Sequence, residues 1–150
     1  MPARASAGAA GLDLSACLPA GPVTVEPMAI VLIPTGLALA IAPGHEGQVR
    51  PRSGLAVKHG ITVVNAPGTI DSDYRGELKV GLVNLSRNAF VVEHAMRVAQ
   101  LVIAPVTSVE VRVVESLSET ARGSGGFGST GYSGEVRVKV PGEREGAGPA

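Results

Sequence analysis

The ten residues Gly68 to Glu77, GTIDSDYRGE, crowd three carboxylates, an arginine and a tyrosine between the apolar runs GITVVN and LKVGLVN. A hairpin turn between two strands needs polar residues. It needs neither an isoleucine inside it nor a tyrosine beside an arginine. The stretch therefore poses a choice between a plain connection and a substrate pocket.

Four other stretches carry chemical groups in suggestive order. RGSGGFGSTG, Arg122 to Gly131, contains G-x-G-x-x-G at Gly123, Gly125 and Gly128. A dinucleotide fingerprint needs a strand before it and a helix after it, and neither is expected here. No lysine follows the last glycine, so it is not a Walker A loop. A flexible linker fits the composition, but a linker does not need Arg122 and Phe127. Glycine backbone lets N–H groups approach phosphate oxygens. Ser129 and Thr130 add hydroxyls, Arg122 a charged fork, and Phe127 a flat face for a base. RPRSG, Arg50 to Gly54, sets arginine, serine and free backbone N–H beside an expected helix start, where anions bind. The alternative is an N-cap serine with a solvated arginine. MRVAQLVI places Arg97 and Gln100 in an apolar strand. If Val98 points inward, so does Gln100, either as a functional group or as a satisfied buried amide. AGLDLSA sets Asp13 between two leucines, where it is either a turn cap or a site residue. His45, His59 and His94 lack any ligand spacing, so no protein-built zinc site is expected.

The elements that must position these groups read as short strands. PVTVEPMAIVLIPTG, LALAIAPGHEG, GITVVNAPG, GELKVGLVNLSRN, AFVVEHAMRVAQLVIAPV and SVEVRVVES are apolar runs divided by Gly, Pro and Asn turns. β-Branched residues dominate, and no window sustains a helical period. The expected fold is all-β, a sandwich or barrel, with one short helix at SGLAVKHG closed by Gly60. The chain has 150 residues, enough for one domain that buries roughly 68–70% of its unfolded surface. Residues 1–118 form the expected β domain, 119–131 a glycine-rich segment and 132–150 a flexible tail. With four aromatic residues, three of them in loop-like stretches, the core must be aliphatic. The net charge of zero gives no attraction to nucleic acid or acidic membranes. The lone Cys17 excludes an internal disulfide and fits a reducing compartment. No apolar run approaches a membrane span, and Asp13 with the early glycines argues against a secretory signal. A soluble cytoplasmic protein is expected.

In order along the chain, AGLDLSA, RPRSG, NAPGTIDSDYRGE, MRVAQL and RGSGGFGSTG resemble the five motifs of the trimeric dUTP diphosphatase (dUTPase) family, over residues 10 to 131. The resemblance implies a jelly-roll-like β fold and a homotrimer whose three sites each draw on all three chains. It implies Mg²⁺-dependent hydrolysis of dUTP to dUMP and pyrophosphate, which supplies dUMP and keeps uracil out of DNA. Asp71 would be the general base that orients and deprotonates the attacking water. Tyr74 would pack against the deoxyribose, where a 2′-hydroxyl would collide. Backbone of Gly68, Thr69, Ile70 and Asp71, with that near Lys79, would pair with the uracil edge in a hairpin pocket too tight for thymine's methyl group. Asn65 would support that pocket. Arg52, Ser53 and Gly54 would hold phosphates, with Arg97 and Gln100 beside them and Gln100 at the α-phosphate. Asp13 would reach the metal through water. Arg122, Gly126, Phe127, Gly128, Ser129 and Thr130 would close over the nucleotide from a third chain. Phosphoryl chemistry rests mainly on positioning and charge neutralisation, and Mg²⁺ binds phosphates while keeping waters, so no carboxylate cage is needed. Two features depart from the family. Its usual strand before the first motif has no counterpart in the nine residues ahead of Ala10, and about twenty residues follow the fifth motif. The alternatives are a dCTP deaminase, which lacks the fifth motif and the tyrosine, and a non-catalytic nucleotide-binding protein on the same fold.

Overall fold

A computed structural model describes residues 1–126. The unit Met1–Val109 holds β1 (Leu12–Ser15), β2 (Val23–Val25), β3 (Ile30–Ala38), β4 (His45–Pro51), α1 (Ser53–His59), β5 (Ile61–Val63), β6 (Gly68–Ile70), β7 (Glu77–Asn84), β8 (Phe90–Val92) and β9 (Arg97–Pro105). The strands form a four-stranded sheet, β1-β9-β4-β6, a three-stranded sheet, β3-β7-β5, and the pair β2-β8. All pairings are antiparallel. This is the jelly-roll-like β sandwich expected, with its one short helix.

Alternation builds the core. In β7, Leu78, Val80 and Leu82 are buried while Lys79 is exposed. They pack with Leu14, Val25, Ile33, Val49, Ile61, Val63, Val92, Val98 and Leu101. No aromatic ring is fully buried among the described residues; Phe90 only borders the cluster. Among the described residues one polar side chain is wholly buried. Asn84 Nδ2 donates to the Val25 and Asn88 carbonyls at 2.8 Å each, and its Oδ1 accepts from Ser86 N–H at 2.9 Å and Ser86 Oγ at 2.8 Å. Asn84 thereby ties the end of β7 to β2 and to the following turn. Asn84→Ala would strand these partners, so a loss of roughly 2–4 kcal/mol is expected. Thermal unfolding at fixed protein concentration checks it, and an unchanged midpoint would mean the turn finds other partners.

The structure departs from the sequence reading in three places. HEGQVRP is a strand, β4, and lies inside the four-stranded sheet. Only Gly47 and Val49 are buried in it, which is too little apolar pattern to register as a strand. SVEVRVVES forms none: Val109, Val111 and Val113 are 77%, 89% and 101% exposed. An alternating run becomes a strand only where an edge receives it, and among the described residues none does. Lastly, β6 and β7 do not form a hairpin, because β6 joins the four-stranded sheet and β7 the three-stranded one. A second unit begins at Glu110; its residues 110–126 contain no strand or helix. No helix among the described residues is long and apolar enough to cross a membrane.

Candidate active site

The stretch from Asp71 to Gly76 crosses between the two sheets. Among the described residues, β6 pairs only with β4, and residues 77–80 of β7 pair only with β3. The edges of β6 and β7 that pair with no described strand leave backbone N–H and C=O groups seeking partners. A cleft of about 350 Å³ is lined by Thr69, Ile70, Asp71, Tyr74, Glu77, Leu78, Lys79 and Leu32. A planar heterocycle with its own donors and acceptors suits such walls, as a further strand would. Asp71 is exposed at the end of β6, and its carbonyl accepts from Tyr74 N–H at 3.2 Å, closing the turn. Tyr74 is 44% exposed and its hydroxyl donates to the Glu77 carbonyl at 3.0 Å. Arg75 is turned onto the Ser72 and Tyr74 carbonyls, both at 2.8 Å, and so braces the turn. Asn65 lies in the turn before β6, and Gly68 packs against its amide. The Lys79–Glu77 pair at 3.7 Å is exposed and adds little stability.

A second group forms on the four-stranded sheet, towards the end of β4. Register places Asp13 of β1 opposite Gln100 of β9, and Gln100 opposite Arg50 of β4. Asp13 is where alternation sends it, away from the buried Leu14. Its Oδ1 accepts from Arg52 Nε at 3.1 Å and its Oδ2 from Arg97 Nη1 at 2.9 Å. Arg52 Nη1 also donates to the Arg97 carbonyl at 3.3 Å. Gln100 is partly buried, and its Nε2 donates to the Pro51 carbonyl at 2.9 Å. Three sequence motifs thus meet in one cluster, with Arg52 and Arg97 against the carboxylate of Asp13, and Arg50 on the neighbouring strand held by Gln48. That excess of positive charge suits a polyanion. Arg52 is the N-cap of α1, but no side chain caps the helix. Ser53 is the first helical residue and not the cap, so its hydroxyl and the Gly54 N–H are not committed to capping. The helix closes at Gly60, in left-handed conformation at φ 68°.

The two groups do not meet within one chain. Gly68 pairs with Val49 and Ile70 with Gly47, so β6 carries Asp71 towards the start of β4, whereas Arg52 follows its end. From Glu46, the next position in that register, to Arg52 is six residues, about 20 Å at strand rise. Gln100 lies opposite Arg50, and the cleft by Gln48, Arg50, Pro51, Ala66, Pro67 and Gln100 shares no residue with the cleft at Asp71.

No group of three His, Cys, Asp or Glu side chains suited to a metal ion occurs among the described residues. Each Asp13 oxygen still has a second acceptor direction. That donor set fits a hard cation held largely by phosphates and water. In the second unit Arg122 Nε donates to the Gly125 carbonyl at 2.9 Å. Gly126 ends the described chain, and Phe127, Gly128, Ser129 and Thr130 lie outside it. Sequence reasoning missed Leu32 and Leu78 in the first cleft and Gln48 in the second, and gave Glu77, though inside its opening stretch, no role. Their membership depends on which strands pair, which no local pattern announces.

The dUTPase family model matches residues 1–131. A deoxyuridine 5'-triphosphate nucleotidohydrolase of Sinorhizobium medicae is 62% identical over 134 residues, covering 89% of this chain and 84% of that protein. Among solved structures, the dUTPase of Staphylococcus bacteriophage 80alpha with dUPNHPP is 30% identical with a TM-score of 0.78, covering 87% of this chain and 91% of that one. A dUTPase of phage phi11 of S. aureus, described with a coordinated structural Mg(II) ion, is 25% identical with a TM-score of 0.70, covering 79% and 92%.

Proposed function

We infer the chemistry of the two clefts from a family identity: the chain belongs to the dUTPase family, and it is a dUTP diphosphatase that hydrolyses dUTP to dUMP and pyrophosphate. In this reading one cleft takes the base and sugar, and the arginine cluster takes the phosphates.

The uracil enters the cleft between β6 and β7. Backbone of Gly68 to Asp71 and of the start of β7 near Lys79 pairs with its edge, and Asn65 keeps the strand end in place. Asp71, at the cleft mouth, orients the attacking water and takes its proton; a carboxylate in hydrogen-bond reach of water suits that task. Tyr74 lies beside the deoxyribose. Arg52, Ser53, Gly54, Arg97 and Gln100 receive the phosphates, with Gln100 at the α-phosphate. Asp13 holds the two arginines in place and would hold Mg²⁺ through water. When bound, Mg²⁺ neutralises phosphate charge and helps fix the phosphate geometry. Residues 119–131, with Arg122, Gly126, Phe127, Gly128, Ser129 and Thr130, act as a lid. The domain limits proposed are 1–118, 119–131 and 132–150. The reaction is placed in the cytoplasm.

One observation carries the quaternary reading. Base and phosphate ligands must act on one nucleotide, with reacting atoms about 3–3.5 Å apart. The register holds Asp71 and Arg52 about 20 Å apart along β4. A homotrimer in which Asp71 of one chain faces the arginine cluster of the next resolves this, and a lid from the third chain completes each site. The exposed Ile30, Leu32 and Val57, with the valines of residues 109–113, supply apolar surface for such contacts.

The direct test is pyrophosphate release from dUTP, dCTP, dTTP and UTP, with and without Mg²⁺. Only dUTP with Mg²⁺ is expected to turn over fast. Rejection of UTP is assigned to Tyr74, so Tyr74→Ala should raise relative use of UTP on the order of 10–200-fold, the range for one misfit group in a pocket. Equal discrimination in the variant would remove Tyr74 from that role.

A further inference from the structure

We propose that Gly76 is a positioning residue for sugar selection: its missing side chain is the space into which Tyr74 folds. This rests on the reading that Tyr74 sets the choice between dUTP and UTP. The turn brings the ring back over the chain two residues on, where its hydroxyl is tethered to the Glu77 carbonyl at 3.0 Å. A β-carbon built on Gly76 would collide with Tyr74 Oη and would stand 2.6 Å from Cζ and 3.0 Å from Cε2. Real β-carbons do not approach a ring so closely, so one of the two groups must move. The backbone does not force the glycine. Gly76 is absent from the residues with left-handed φ, so alanine meets no backbone penalty there. It is also exposed, so its methyl displaces no core atom. The ring is the free partner, because Tyr74 is an exposed side chain on a turn. Alanine at position 76 therefore lets the domain fold and expels the ring from its place over the turn. The sugar then loses the wall that meets a 2′-hydroxyl, while Asp71 and the backbone that pairs with uracil keep their own supports.

The experiment compares kcat/KM for dUTP and UTP in the full chain and in Gly76→Ala, Tyr74→Ala and the double variant. Gly76→Ala should lower the dUTP-to-UTP ratio by at least about tenfold, since a displacement near 1 Å can cost up to ~10²-fold. The double variant should match Tyr74→Ala alone, because no ring remains to displace. A melting temperature close to that of the parent should accompany the loss. A ratio in Gly76→Ala within twofold of the parent, with Tyr74→Ala collapsed, overturns the inference and leaves the Tyr74 reading standing. A double variant worse than Tyr74→Ala also overturns it, since Gly76 would then act through something else. An unchanged ratio in Tyr74→Ala overturns both. Fluorescence gives a readout without catalysis. The chain has no tryptophan and two tyrosines, so in a Tyr132→Phe background Tyr74 is the sole tyrosine. Its emission and iodide quenching should change on Gly76→Ala, and unchanged values would mean the ring has not moved.

Discussion

Asp71→Asn is expected to lower kcat for dUTP by about 10²–10⁴-fold, the usual contribution of a positioned general base, while binding of dUTP with Mg²⁺ stays within a few-fold of the parent. The substitution keeps the shape of the side chain and its ability to orient a water. It removes the site that takes the proton. Asp71 is exposed and is not part of the hydrophobic cluster, and it contacts the rest of the turn through its backbone carbonyl, so the fold should be indifferent to the change. Isothermal titration with dUTP and Mg²⁺ and single-turnover hydrolysis separate binding from chemistry. If turnover survives largely intact, the base is another group. If binding collapses together with turnover, Asp71 is a substrate ligand and not the base.

What the sequence made legible came from local rules. LKVGLVN alternates, and β7 is a strand with alternate residues buried. SGLAVKHG ends in glycine, and α1 stops where that glycine turns left-handed. Asp13, Arg52, Arg97 and Gln100 stand out by residue type, and strand register together with the bonds from Arg52 brings them into one cluster. Illegible features were those decided by partners distant in the chain. HEGQVRP has one buried valine and one buried glycine, yet it is an inner strand because β9 and β6 flank it. The connection at Asp71 reads as a hairpin from its own residues. Only the pairing of β6 with β4 and of β7 with β3 turns it into a crossing between sheets, and that crossing leaves two edges without a strand partner among the described residues. SVEVRVVES shows the reverse case, a strand pattern that no edge receives among the described residues. The resemblance has Asp13 reach the metal through water, and in the structure its carboxylate pairs with Arg52 and Arg97. A carboxylate so engaged holds the two arginines in place.

Two inactive variants, refolded together, should recover activity. One is Asp71→Asn, which lacks the base. The other is truncated before Arg122, which removes the proposed lid. Each alone should be close to inactive. Suppose each site takes Asp71 from one chain, the arginine cluster from a second and the lid from a third. After joint unfolding and refolding at equal amounts, an intact site needs Asp71 from a truncated chain and a lid from an Asp71→Asn chain. Random assembly in a closed ring meets both conditions in about one site in four. Activity should therefore rise from near zero towards a quarter of the parent's. The result discriminates sharply, because a site built within a single chain can never be restored by mixing. The strand register already argues against that alternative, since β4 separates Asp71 from Arg52 by about 20 Å. Mass measurement of the refolded material establishes that mixed trimers form. Mixed trimers without activity would mean that lid and base come from the same chain, and the separation along β4 would then have to be spanned by a different pairing of subunits.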